Sequence, residues 1–242
     1  MPSNPLRLEA IAFHTDDGHA ADPRELIIPI CWHERATGRA RTLGTCFPFF
    51  SKQNIFLTAK HLFTDEGITI TDSAGGRFSC SSGRELVGIH YYYLDGYAGV
   101  PWLPRPITRL WMHPTADIAM GLFAGIKFLK VPHTLVDKIP SRDFGIPSKD
   151  DLLATFAYPE LRGQTLVEIA RQTYEVKTAR AGYVNIVYPQ GRDRVLLPGP
   201  CMETSIDIRG GMSGGPVFNS LGRVCGVNST SLDVDSGVPP VS

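Results

Sequence analysis

The chain has 242 residues, 43% of them hydrophobic and 20% charged, and its 24 Lys and Arg balance its 24 Asp and Glu. Zero net charge supplies no bulk field to hold a phosphate backbone, which argues against nucleic acid as the main partner. No run of 18 apolar residues occurs, so no membrane-spanning helix is expected. Residues 1–25 lack a basic head followed by an apolar run and do not read as a secretion signal. A soluble, cytoplasmic protein is the resulting expectation. The five cysteines, Cys31, Cys46, Cys80, Cys201 and Cys225, are odd in number and scattered without CxxC spacing. They are expected to be reduced and to serve as small buried apolar residues.

In chain order, short strand-like runs bounded by turn signals fall at Leu26–Trp32, Gly44–Phe50, Ile55–Thr58, Ile68–Thr71, Leu86–Tyr93 and Ile118–Leu122. Tyr91, Tyr92 and Tyr93, followed by LDGYAGVPWLPRP, read as a strand and a proline-fixed surface loop rather than an aromatic binding platform. A polar, proline-containing passage from Val131 to Asp151 follows. The second set of runs is Leu152–Tyr158, Leu166–Val176, Ala181–Val187, Val195–Leu197, Pro216–Asn219 and Arg223–Ser229. With 24 Gly and 19 Pro and few helical signals beyond a turn after His61, the rhythm predicts an all-β protein of two units and a connector. The boundaries predicted are 1–130, 131–151 and 152–242.

The most informative segment is Gly210, Gly211, Met212, Ser213, Gly214, Gly215, Pro216, in which small residues flank a single hydroxyl. Glycine permits positive φ and close backbone approach, as a nucleophile needs when a substrate carbonyl must reach main-chain N–H groups. Taken alone, the segment also fits a glycine-rich hairpin. GMSGGPVF, however, resembles the GxSGGP signature of trypsin-like serine peptidases. Leu57-Thr58-Ala59-Lys60-His61 resembles that family's TAxH segment, and His113 to Ala119 resembles its Asp-Ile-Ala-Leu segment, with Asp117 as the carboxylate. Fifty-six positions separate His61 from Asp117 and 96 separate Asp117 from Ser213, in the family's order.

The resemblance implies two packed antiparallel six-stranded β-barrels of the chymotrypsin type with the active site in the cleft between them. It implies Ser213 as nucleophile, His61 as general base, Asp117 as the residue orienting the base, and the N–H groups of Gly211 and Ser213 as the oxyanion hole. The strand carrying Ser229, Thr230 and Ser231 would bind an extended protein or peptide substrate. Asp207, six residues before Ser213, stands where trypsin-like enzymes carry the acid of a pocket for Arg or Lys, with Arg209 able to neutralise it. Met212 stands where digestive trypsins have the aspartate of their zymogen switch. That replacement and the absence of paired cysteines resemble the disulfide-free bacterial, HtrA-type branch. Control would then come from a regulatory partner or additional domain that orders Arg209 to Ser213. Eleven residues follow Ser231, fewer than the family's further pocket strand and closing helix require. Either the chain is a piece of a longer protein or Val238–Ser242 begins a strand completed elsewhere.

The rival reading is a catalytically silent peptide-binding module of the same fold. An esterase fits less well because Ser213 is not in a G-x-S-x-G elbow. The seven histidines form neither H-E-x-x-H nor a compact His/Cys set, so no metal or cofactor is expected.

Overall fold

The computed structural model describes residues 11–50, 54–64, 67–81, 83–91, 102–125, 138–175, 177–193 and 197–229. Its first unit contains β1 (Ile28–Glu34), β2 (Arg39–Phe50), β3 (Ile55–Thr58), β4 (Ile68–Asp72), β5 (Arg77–Cys80), β6 (Arg84–Tyr91), β7 (Trp102–Met112) and β8 (Ala119–Phe123). Six of these follow the order β1-β6-β7-β8-β3-β2, and β2 pairs again with β1, so the sheet closes into an antiparallel barrel without a free edge. Closure depends on β2, which pairs with β1 from Ala40 to Cys46 and with β3 from Phe47 to Phe50. Ile28, Ile30, Cys46, Phe56, Leu86, Leu110 and Phe123 are buried in the barrel's core. The pair β4–β5 forms a separate hairpin.

The chain continues with β9 (Leu152–Ala157), β10 (Gln164–Thr165), α1 (Leu166–Glu175), β11 (Thr178–Tyr188), β12 (Cys201–Thr204), β13 (Pro216–Asn219) and β14 (Val224–Val227); β10 returns to pair with β2 at the barrel, and the other strands build the second unit. Its five described strands form a curled sheet in the order β12-β11-β9-β13-β14. A sixth strand has no counterpart among the described residues. Between sheet and barrel lies a second apolar cluster that includes Phe13, Leu26, Ile27, Phe47, Phe156, Tyr158 and Phe218. The Phe13 ring meets Phe156 and Phe218 edge-on at centroid distances of 5.1 and 5.0 Å. The buried Tyr158 hydroxyl donates to the Ile27 carbonyl at 3.2 Å. Its polar tip is thus satisfied inside the seam that holds the two units together.

Leu166–Glu175 is a helix and not the strand expected at Leu166–Val176. Thr165 and Glu168 form a capping box: the Thr165 N–H donates to Glu168 Oε2 at 2.8 Å and the Glu168 N–H to Thr165 Oγ1 at 3.3 Å. Leu166, Ile169, Ala170 and Thr173 recur at helical spacing, and Ile169 and Ala170 pack on Cys31, Ala40, Val87 and Ile89 outside the barrel. The Tyr91 hydroxyl donates to the Ala170 carbonyl at 2.7 Å.

Trp102–Pro106, expected in a surface loop, opens strand β7, with Pro104 opposite Ile89 and Pro106 opposite Val87. Proline cannot donate to a ladder, so its nitrogen must face an unpaired side. The Pro106 carbonyl accepts from the Ala124 N–H at 2.7 Å, away from β6. A strand residue's nitrogen and carbonyl face the same way, which turns both proline nitrogens towards an edge that β8 covers only from Ile107 onward. Strands β5, β10 and β12 and the Ile107–Met112 part of β7 were not anticipated, and Val195, Tyr92 and Tyr93 of the expected runs lie outside the described residues.

Candidate active site

His61 is delivered by the end of a barrel strand. Strand β3 stops at Thr58, and residues Lys60–Phe63 form one 3-10 turn whose Leu62 and Phe63 are buried in the barrel core. Anchoring those two apolar side chains turns His61 outward, and its side chain keeps 40% of its surface exposed. Asp117 arrives from the β7–β8 connection. The His113 N–H donates to the Ile118 carbonyl at 2.8 Å, and its Nδ1 accepts the Ala116 N–H at 2.8 Å, shaping the turn that ends in the carboxylate. The Asp117 side chain is only 12% exposed.

The two side chains meet squarely. Asp117 Oδ2 lies 2.7 Å from His61 Nδ1, and Oδ1 accepts the His61 backbone N–H at 2.8 Å. An ionised carboxylate only accepts, so Nδ1 carries the hydrogen of this contact. The Ser229 hydroxyl donates to the same Oδ2. Burial pushes the Asp117 carboxyl up, but the hydrogen bonds from His61 and Ser229 outweigh it and hold the group below its usual value.

Ser213 comes from the turn between β12 and β13 and joins this cluster through Ser229. Its hydroxyl donates to the Ser229 carbonyl at 3.1 Å. The hydrogen is therefore aimed at that carbonyl and not at His61 Nε2.

Around the serine, the peptide planes are tied. The Gly210 carbonyl accepts from the Glu160 N–H at 3.1 Å, and the Met212 carbonyl accepts from the Gly215 N–H at 3.1 Å and from Asn228 Nδ2 at 3.2 Å. Within a trans peptide the N–H opposes the C=O, so the Gly211 and Ser213 N–H groups point away from these anchors. Neither N–H donates to an acceptor among the described residues. Met212, 1% exposed, fills the interior with its Sδ near the Arg209 N–H, at 3.4 Å.

Asp207 lies apart from this cluster in an exposed ion pair. Arg209 Nε and Nη2 approach its Oδ2 at 2.7 and 2.6 Å. Thr230 and Ser231 lie outside the described residues. Asn228 and the Glu160 backbone carry no motif, and only their folded contacts reveal what they hold. No group of three or more His, Cys, Asp or Glu able to hold a metal occurs among the described residues.

A closed six-stranded barrel packed on a curled sheet, with few helices, is the chymotrypsin-like fold. Residues 44–227 match the family model of the trypsin-like peptidase domain. Similar solved structures include Deg5, at 15% identity and a TM-score of 0.53, covering 86% of this chain and 80% of that one. The Rv3671c protease from M. tuberculosis in its active form is 15% identical with a TM-score of 0.51, covering 88% and 73%. No curated protein matches the chain in sequence. The chain belongs to the trypsin-like peptidase family and is a serine protease, a hydrolase of peptide bonds.

Proposed function

We propose that the chain is a serine endopeptidase working through an acyl-enzyme, with Ser213 as nucleophile, His61 as general base and Asp117 as the group that orients the base. The observation that carries this reading is the chain of contacts in which Asp117 Oδ2 takes both His61 Nδ1 and Ser229 Oγ, while the Ser229 carbonyl takes the Ser213 hydroxyl. Ser213 Oγ attacks the scissile carbonyl carbon as its proton passes to His61 Nε2. The carbonyl oxygen becomes an anion facing the Gly211 and Ser213 N–H groups. The tetrahedral adduct collapses, the C–N bond breaks, and Nε2 returns the proton to the leaving amine. Water then attacks the ester carbonyl as one of its protons passes to Nε2; the second adduct collapses, the C–Oγ bond breaks, and Nε2 returns the proton to Ser213 Oγ as the carboxylic product leaves.

The second reading, a silent peptide-binding module, draws on the Ser213 hydroxyl being directed at Ser229 rather than at Nε2. A fluorophosphonate reporter separates the two. Stoichiometric labelling of the wild-type chain, absent in Ser213→Ala, is expected; a wild-type chain that stays unlabelled leaves the binding module as the better account.

The substrate is a protein or peptide, held as an extended strand alongside Ser229, Thr230 and Ser231. Selectivity for Arg or Lys before the cut is expected to be weak, because Arg209 already occupies the Asp207 carboxylate and both are exposed. A solvent-screened pair of this kind contributes about 1 kcal/mol or less, so Arg, Lys and Leu peptides should differ in kcat/KM by no more than about tenfold. A hundredfold preference for Arg in a fluorogenic panel overturns this.

The proposal extends to the HtrA-type branch, a cytoplasmic setting and control by a partner or attached domain touching Arg209 and Gly210, the exposed start of the serine loop. No helix among the described residues is long and apolar enough to cross a membrane. Full activity of the isolated chain on unrelated substrates counts against partner control.

A further inference from the structure

We propose that Thr45, on the first barrel, is a positioning residue that holds the oxyanion loop of the second unit in its working shape. The inference rests on reading the Gly211 and Ser213 N–H groups as the oxyanion donors. Thr45 is completely buried. Its hydroxyl donates to the Gly211 carbonyl at 3.0 Å and accepts the Tyr158 N–H at 3.0 Å, while its backbone N–H donates to the Ser213 carbonyl at 2.8 Å. One residue thus takes hold of the loop at two carbonyls and of the segment after β9 at one N–H.

The carbonyls of residues 210 to 213 are consecutive, and each has a partner. Gly210 is held by the Glu160 N–H, Gly211 by Thr45 Oγ1, Met212 by Gly215 and Asn228, and Ser213 by the Thr45 N–H. The Glu160 contact itself depends on the same strand. Tyr158 is tied to Thr45, and three residues earlier Thr42 brackets the segment: its hydroxyl donates to the Pro159 carbonyl at 3.1 Å and accepts the Leu161 N–H at 2.7 Å. Three of the four carbonyl anchors therefore trace to β2. An N–H direction is fixed by the carbonyl of its own peptide, so the Gly211 donor follows the Gly210 carbonyl, which β2 reaches through the bracketed Glu160, while the Ser213 donor follows the Met212 carbonyl, whose two neighbouring peptides Thr45 ties on either side.

A valine at position 45 keeps the shape and removes the hydroxyl. The Gly211 carbonyl and the Tyr158 N–H then lose a partner in a site closed to water, a loss relieved by turning the 211–212 peptide, which joins the two peptides that carry the donors, or by shifting the segment that holds the Gly210 carbonyl. The effect falls on the step in which the oxyanion forms, not on substrate affinity.

The test uses the full chain and a fluorophosphonate probe, separating the maximal rate of phosphonylation, kinact, from the half-saturating concentration, KI. Thr45→Val is expected to lower kinact about a hundredfold, as for loss of one oxyanion donor, with KI changed by no more than about twofold. Thr45→Ser restores the hydroxyl and should recover kinact to within about threefold of the wild type. Thr173→Val, which removes a fully buried hydroxyl from α1, controls for general destabilisation and should leave kinact unchanged. A kinact in Thr45→Val within about threefold of the wild type overturns the proposal, as does an equal loss in Thr173→Val. Should Thr45→Val fail to fold, Thr42→Val loosens the same bracket at its far end; about a tenfold loss of kinact is expected there, and an unchanged value overturns the proposal. A wild-type chain that the probe does not label removes the underlying reading, whereas a labelled wild type with an equally fast Thr45→Val removes the Thr45 proposal alone.

Discussion

Replacing Asp117 by asparagine is expected to lower kcat about 10⁴-fold on a peptide amide while leaving the fold intact. Asparagine is nearly isosteric, and its carbonyl oxygen can still accept the His61 backbone N–H now held at 2.8 Å by Oδ1. The difference falls at the other oxygen. Oδ2 now accepts from His61 Nδ1 at 2.7 Å and from the Ser229 hydroxyl. An amide NH₂ in its place donates, so Nδ1 must become the acceptor and the ring hydrogen moves to Nε2. The imidazole then has no lone pair facing Ser213. Active-site-normalised hydrolysis, with thermal unfolding as the check on folding, decides the matter. A kcat within tenfold of the wild type would mean that the carboxylate does not set the tautomer.

Alanine in place of Gly214 is expected to act on stability rather than chemistry, lowering the melting temperature by about 8–16 °C. Gly214 has φ of +83°, where a side chain costs about 1–3 kcal/mol. A Cβ there would stand 2.0 Å from Thr58 Oγ1 and 2.2 Å from the Thr45 carbonyl oxygen. Overpacking of this kind typically adds another 1–3 kcal/mol. Together these come to about 4 kcal/mol, a large part of the 5–15 kcal/mol that separates a typical folded chain from its unfolded state. The Gly214 N–H donates to the Asn228 carbonyl at 2.7 Å and the Asn228 N–H to the Gly215 carbonyl at 2.8 Å, so the loop cannot retreat without breaking the β13–β14 end of the sheet. A melting temperature within about 3 °C of the wild type, measured by differential scanning calorimetry, would show that the seam yields more easily than its contacts imply.

Gly211 differs in what it faces. Its φ is +87°, and a Cβ would meet the backbone of Tyr158, Pro159 and Glu160 at about 2.5 Å or less. That backbone is the bracket held by Thr42 and Thr45. The two glycines flanking Met212 and Ser213 are therefore required for different reasons, one by the barrel strands and the other by the segment that aims the loop.

Several elements could be read locally because their cause is local. Strand Ile55–Thr58 and strand Pro216–Asn219 alternate or run apolar between turn residues, and both were legible to the residue. The helix at Leu166–Glu175 also had a local signal, the Thr165–Glu168 capping box, but its apolar residues read equally well as a strand until the barrel surface selects the 3.6-residue period. Strand β7 was hidden by prolines, whose compatibility depends on where a neighbouring strand ends.

The order and spacing of His61, Asp117 and Ser213 and the glycines around the serine were determined by the sequence alone, because side-chain chemistry and positive-φ turns are properties of short segments. What only the tertiary structure decided is how those segments meet: that Ser229 links the serine to the His–Asp pair, that Arg209 occupies Asp207, and that a threonine 168 positions before Ser213 ties the serine loop. A buried hydroxyl in a strand of apolar neighbours carries no local mark of its partner. Its partner is chosen by the packing of barrel on sheet, where an unsatisfied carbonyl would be costly and a threonine from the opposite unit lies within reach.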